Sequence, residues 1–108
     1  MGKEMGEART KRPTLEEILR TLRRHLPELR ERYRVKSLWV FGSYVRGDQK
    51  PDSDLDILVE FEEAPTLFQF IRLEDELRKL LGIEVDLVMK SALKPSIGAR
   101  ILSEVVPV

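Results

Sequence analysis

The run FGSYVRGDQKPDSDLD, Phe41 to Asp56, decides how the rest of the chain is read. It opens with Gly42-Ser43 and closes, after ten intervening residues, with Asp54-Leu55-Asp56. A β-rich run, VKSLWVF from Val35, ends directly before Gly42, so Gly42-Ser43 is predicted to form the turn out of a strand. Glycine lacks a Cβ and lets an anion approach the backbone closely. Ser43 is a good N-cap, and a short helical turn behind it would aim N–H groups and a positive dipole end at that anion. Arg46, one turn further, is placed to add a charge-assisted contact to the same group.

Asp54 and Asp56 form the complementary half. Residues two apart in a strand face the same way, so their carboxylates project side by side. Two anions this close repel unless a cation lies between them, and Mg²⁺ suits oxygen ligands shared between carboxylates and phosphates. Leu55, Ile57 and Val59 alternate with them and are expected to bury the other face. A third carboxylate, Asp86, stands in the apolar run IEVDLVM, where the pattern gives no structural reason for a charge. Beside Asp56 on a neighbouring strand it would complete a two-ion site, and it could accept a proton from an incoming hydroxyl.

Around this stretch the chain reads as α-β-β-α-β-α. Thr14 and Glu17 form a capping box that starts a helix carrying Leu15, Ile18, Leu19, Leu22, Leu26 and Leu29, ending by about Tyr33. Pro27 predicts a kink or break near His25. The second strand is Leu55 to Phe61 and the third Ile83 to Met89. Between them a helix from about Thr66 to Leu81 places Leu67, Phe70, Ile71, Leu77 and Leu81 on one face, with Gly82 as its cap. Phe68 and Leu73 fall off that face and are candidates for a partner surface. Trp39 and Phe41 read as core residues, and His25 as a helix-surface residue. A last helix from Pro95 to about Glu104 carries Ile97, Ile101 and Leu102. The expected fold is α+β: a small mixed sheet of three to four strands covered by helices on one face. Residues 1–13 read as a flexible tail and 14–108 as one domain.

Composition removes several classes of function. With 42% hydrophobic and 35% charged residues in 108, the chain is of globular type. No apolar run nears the ~20 residues that span a bilayer, and no signal-peptide stretch opens the sequence, so no membrane role and a cytoplasmic location are expected. Cysteine is absent and His25 is the only histidine, which excludes thiolate sites and leaves histidine triads and zinc centres without residues. No G-x-x-x-x-G-K-[ST] is present. Net charge is zero, yet residues 1–50 hold 13 basic and 7 acidic side chains while residues 51–108 hold 6 and 12. The basic front half is explained mostly by solvated helix faces.

The pattern G-S-x10-D-x-D resembles the signature of the DNA polymerase beta-type nucleotidyltransferase superfamily. The run GSYVRGDQKPDSDLDILVEF, the later VDLV and the short length are similar to the minimal nucleotidyltransferases, MNT, from about Leu15 to Val106. The resemblance implies that Gly42 and Ser43 hold the triphosphate of ATP or another NTP, to which the position of Arg46 adds its charge-assisted contact. It implies that Asp54, Asp56 and Asp86 are the catalytic, metal-holding carboxylates, with two Mg²⁺ ions. It further implies an antitoxin that adenylylates a tyrosine of a HEPN-domain ribonuclease partner. So small a sheet leaves little surface for a large acceptor, which fits an acceptor presented by another macromolecule. Two other readings stay open: a non-catalytic module that neutralises its partner by contact alone, and, less favoured, a transferase directed at nucleic acid through the basic front half. Oligomeric state is open as well, as a homo-oligomer or a hetero-complex.

Overall fold

The computed structural model describes residues 13–108; the tail expected over residues 1–13 lies outside the described residues except for Pro13. Helix α1 spans Leu15–Tyr33 and strand β1 spans Val35–Phe41. A single turn, α2, covers Ser43–Arg46, followed by β2 (Leu55–Phe61), α3 (Leu67–Leu81) and β3 (Val85–Met89). A 3₁₀ turn at Lys90–Ala92, helix α4 (Pro95–Leu102) and the two-residue strand β4 (Val106–Pro107) complete the chain. The sheet has the order β3-β2-β1-β4: β1 is antiparallel to both β2 and β4, and β2 is parallel to β3. This is the small α+β mixed sheet that the residues predict. The parallel pair needs a crossover, and α3 supplies it.

Both long helices start as the sequence dictates. Thr14 and Thr66 each accept a backbone N–H from the third helical residue, while Glu17 and Gln69 bond back to the cap backbone. Gly82 closes α3 in the left-handed conformation at φ 71°. Pro27, however, does not end α1, which runs unbroken to Tyr33. A proline removes one intrahelical bond, and the burial of Ile18, Leu22 and Leu29 on either side of it holds the helix against the sheet.

The core lies between these helices and one face of the sheet. Ile18, Leu22 and Leu29 of α1 and Leu73 and Leu77 of α3 meet Leu55, Ile57 and Val59 of β2 with Val40 and Leu87 of its neighbours. Val35 and Leu38 both join this core although their spacing is odd. The register slips between Val35 and Ser37, so one extra residue flips the parity of β1 there. On β3, an edge strand, Leu87 N–H donates to Glu74 Oε2 of α3 at 3.2 Å, which covers part of the open edge.

The inward face of α3 differs from the expected one. Leu73 is fully buried with Leu77, whereas Leu67 (75% exposed), Phe68 (68%) and Ile71 (51%) face outward. Phe70, Leu73, Leu77 and Leu81, three and four residues apart, form the inward stripe, and Leu67, Phe68 and Ile71 fall to its outer flank. Leu73→Ala is therefore expected to cost about 3 kcal/mol by transfer and cavity terms. Phe68→Ala should leave Tm within about 2 °C, since surface changes are near neutral. Thermal unfolding of both variants checks the reassignment, and equal losses would contradict it. The last helix also ends earlier than expected, at Leu102, and exposes Ile97 and Leu102. Glu104 falls in the turn ahead of β4, a strand too short for any periodicity to reveal.

Candidate active site

Strand β2 carries two sets of side chains. Leu55, Ile57 and Val59 point into the core, so Asp56, Leu58 and Glu60 take the opposite face. Register then places Asp56 between Phe41 of β1 and Asp86 of β3, each a direct Cα partner. In a parallel pair, partners in register share a face, so the Asp56 and Asp86 carboxylates are neighbours. Asp54 precedes β2 on the same side, two residues back. Leu55 N–H, donating to Glu84 O at 2.9 Å, ties that entry point to the start of β3.

The ten-residue connection between Gly-Ser and Asp-x-Asp is built from two turns. Gly47 caps α2 in the left-handed region at φ 82°, its N–H donating to Ser43 O at 2.8 Å. Lys50 and Ser53 then close a turn around Pro51: Lys50 N–H donates to Ser53 Oγ at 2.7 Å, and Ser53 N–H to Lys50 O at 2.9 Å. The chain thus returns to the sheet beside the place it left.

Gly42, not Ser43, occupies the N-cap position, with φ 85° and ψ −153°, and no side chain caps the turn. Ser43 is the first residue of α2, so both residues of the pair sit at the start of the turn. A Cβ on Gly42 would overlap Oδ2 of Asp56 and lie 3.0 Å from its Cγ. The bend and the acidic strand are therefore packed against each other with no room between backbone and carboxylate.

Asp56 is half-buried, and its carboxyl pKa is pushed up to about 6. Burial is the largest cause, followed by the charges of Asp86 and Asp54; Arg46 opposes them. Asp54 and Asp86 are exposed, Ser43 is half-buried, and Arg46 is exposed at the rim. Arg46 is not idle there: Nη1 donates to Glu104 Oε1 at 3.1 Å and Nε to Asp48 Oδ2 at 3.4 Å. Glu104, which the sequence reading passed over, adds its charge to the field at Asp56.

Among the described residues no group of three or more His, Cys, Asp or Glu side chains forms a ready-made metal cage. The donor set nonetheless fits a hard divalent cation completed by substrate oxygens: two exposed carboxylates flank a half-buried one whose ionisation their charges disfavour. The place is an open ledge. A cleft of about 500 Å³, lined in part by Val59, Phe61, Pro65 and Met89, lies further along β2, and none of the three aspartates lines it. Trp39, half-buried, shares the ledge's face of the sheet and lies 5.2 Å beneath the Lys90 ammonium.

Residues 22–108 match the family described as the nucleotidyltransferase domain, and the chain belongs to that family. Within it the chain is a minimal nucleotidyltransferase. It is 60% identical over 93 residues, 86% of its own length and 94% of the relative's, to the protein adenylyltransferase MntA of Thermococcus cleftensis. It is similar to a solved structure of a presumed minimal nucleotidyltransferase, with a TM-score of 0.74 and 41% identity over 89% of this chain and 97% of that one. It shares its fold, at a TM-score of 0.55 and 21% identity, with a chain in the complex of a tri-AMPylated HEPN toxin and MNT antitoxin from Shewanella oneidensis; 85% of this chain and 66% of that one are covered. Among the described residues no helix is long and apolar enough to cross a membrane.

Proposed function

We propose that the chain transfers AMP from ATP to a hydroxyl of a protein acceptor, with divalent magnesium, and that the acceptor is a HEPN-domain toxin that it silences. The observation that carries the reading is the register of Asp56 with Asp86, set directly against Gly42. Relatedness to a protein adenylyltransferase supports the choice of AMP and of a protein acceptor. The small sheet and the exposure of Asp54 and Asp86 support an acceptor brought by a second macromolecule.

In this reading the first turn at Gly42 and Ser43 receives the triphosphate at the positive end of α2, while the absent side chain of Gly42 makes room for the Asp56 carboxylate. Asp54, Asp56 and Asp86 would hold the metal, which when bound would neutralise charge on the leaving pyrophosphate and make the attacking hydroxyl more acidic. Asp86, exposed at the open side of the pair, takes the hydroxyl proton as its oxygen attacks the α-phosphorus. The bond from that phosphorus to the β-phosphoryl oxygen breaks, and the acceptor keeps the AMP. Incubating the chain with ATP, Mg²⁺ and purified partner should increase the partner's mass by whole AMP groups. Silencing of the partner with no gain in mass would defeat the reading and leave stoichiometric binding in its place.

The raised carboxyl of Asp56 sets a pH dependence. A metal ligand must be ionised, so kcat/KM is expected to fall roughly tenfold per pH unit below about 6. Protons and cations compete for the same carboxylates, so raising Mg²⁺ should move this acid limb to lower pH. Profiles recorded at limiting and saturating Mg²⁺ check it; coincident limbs would show that the titrating group is not a ligand.

A further inference from the structure

Arg46 and Glu104 stand 58 residues apart in sequence and form a close charged contact in space, 3.1 Å from Nη1 to Oε1. Glu104 is delivered by the end of the fold: it lies in the turn after α4, two residues before β4 pairs Val106 with Val40 of β1. The strand that leads into Gly42 therefore also anchors the segment that brings Glu104. The carboxylate is the more shielded partner, with 29% side-chain exposure against 52% for Arg46. Asp48, two residues on, takes Nε at 3.4 Å. A guanidinium carries five donors in a rigid plane, and these two bonds leave the Nη2 amine outside them.

Arg46 ends the single turn that Gly42 opens, and Gly42 packs against Asp56 of the acidic ledge. An arginine side chain this exposed, released from Glu104, has the ledge's carboxylates as alternative partners. Pairing there would put a cation where the metal belongs and take the donors away from the bend.

We propose that Glu104 is a positioning residue: it holds the Arg46 guanidinium at the rim of the Gly42–Ser43 turn, with Nη2 facing an incoming triphosphate and off the carboxylates of the ledge. The inference rests on reading the ledge as the magnesium–ATP site, and it predicts that Glu104 acts on nucleotide binding mainly through Arg46.

The test is calorimetric binding of α,β-methylene-ATP with Mg²⁺ to the isolated chain. Arg46→Ala is expected to weaken binding about 10–30-fold and Glu104→Ala about 5–10-fold, the scale of one or two charge-assisted bonds. The double variant should match Arg46→Ala within about twofold, because a residue acting through another adds nothing once that other is gone. Glu104→Gln, which keeps an acceptor, should fall between wild type and Glu104→Ala, and every variant should keep Tm within about 3 °C, since exposed pairs contribute little to stability. A wild type that binds, with Glu104→Ala binding equally or more tightly, overturns the inference alone. So does a double variant that loses the product of the single losses. A wild type that binds no nucleotide overturns the reading of the ledge, and the inference with it.

Discussion

Replacing Asp54 and Asp56 together with asparagine is expected to lower AMP transfer by at least about a thousandfold, roughly 4 kcal/mol of transition-state stabilisation. The same change should make the protein more stable. The sign follows from Asp56, whose carboxyl titrates near 6 in place of the ordinary 3.8. Between those values the folded chain binds more protons than the unfolded one, so this group's contribution to stability falls as pH rises through that window. Above about 6 the full penalty of an ionised Asp56 is present. Two pKa units would cap it at roughly 3 kcal/mol, and solvent screening at a half-buried site reduces this to roughly 1 kcal/mol. Asparagine keeps the shape and removes the charge, so Asp56→Asn alone should raise Tm by about 4–8 °C at neutral pH. Mg²⁺ should stabilise the wild type and leave the double variant unmoved, because only a folded state that binds the ion gains from it. Transfer assays and thermal unfolding run side by side decide the matter. A double variant that keeps activity, or that loses it together with its stability, would show that the carboxylates serve the fold and not the chemistry.

What could be read in the sequence and what could not divides by the range of the contacts involved. Alternation along LDILVEF announces a strand with one apolar face, and a charge within VDLV has no packing role, so the ledge was legible from residue types and a period of two. The capping box at Thr14 fixed the first helix start for the same reason, being local chemistry, and the structure adds a second box at Thr66 and Gln69. What escaped depends on contacts made at a distance. Two apolar stripes compete on α3, and packing on the core selects the one with Phe70, Leu73 and Leu77, so Leu73 went inside and Ile71 outside although both are apolar. The unbroken course of α1 through Pro27 is a tertiary override of a local rule. Strand β4 has two residues and exists only because β1 offers an edge; its Pro107, which has no N–H, is tolerated there. Glu104 then reaches Arg46 through that pairing, a connection no spacing in the sequence encodes.

Gly42 carries the second large effect. At φ 85° and ψ −153° it occupies a region open essentially to glycine alone, where a side chain costs about 1–3 kcal/mol before any contact is counted. The contact is severe as well. An added Cβ overlaps Asp56 Oδ2 and stands 3.0 and 3.3 Å from its Cγ and Cβ, and Asp56 cannot retreat because β2 is held on both sides by β1 and β3. Only rotation of the carboxylate relieves the overlap, and that takes it from its place beside the bend. Gly42→Ala is thus expected to cost about 4 kcal/mol in stability and more than a hundredfold in transfer. The two causes separate in a double-mutant cycle. Asp56→Ala removes the overlapping Oδ2 and Cγ but leaves the backbone strain, so in that background Gly42→Ala should cost about 2 kcal/mol less than in the wild type. Denaturant unfolding of the four proteins supplies the coupling. A cycle that closes to zero would mean that the bend and the carboxylate do not touch, and the contact that joins the phosphate-binding half of the site to its acidic half would be lost with it.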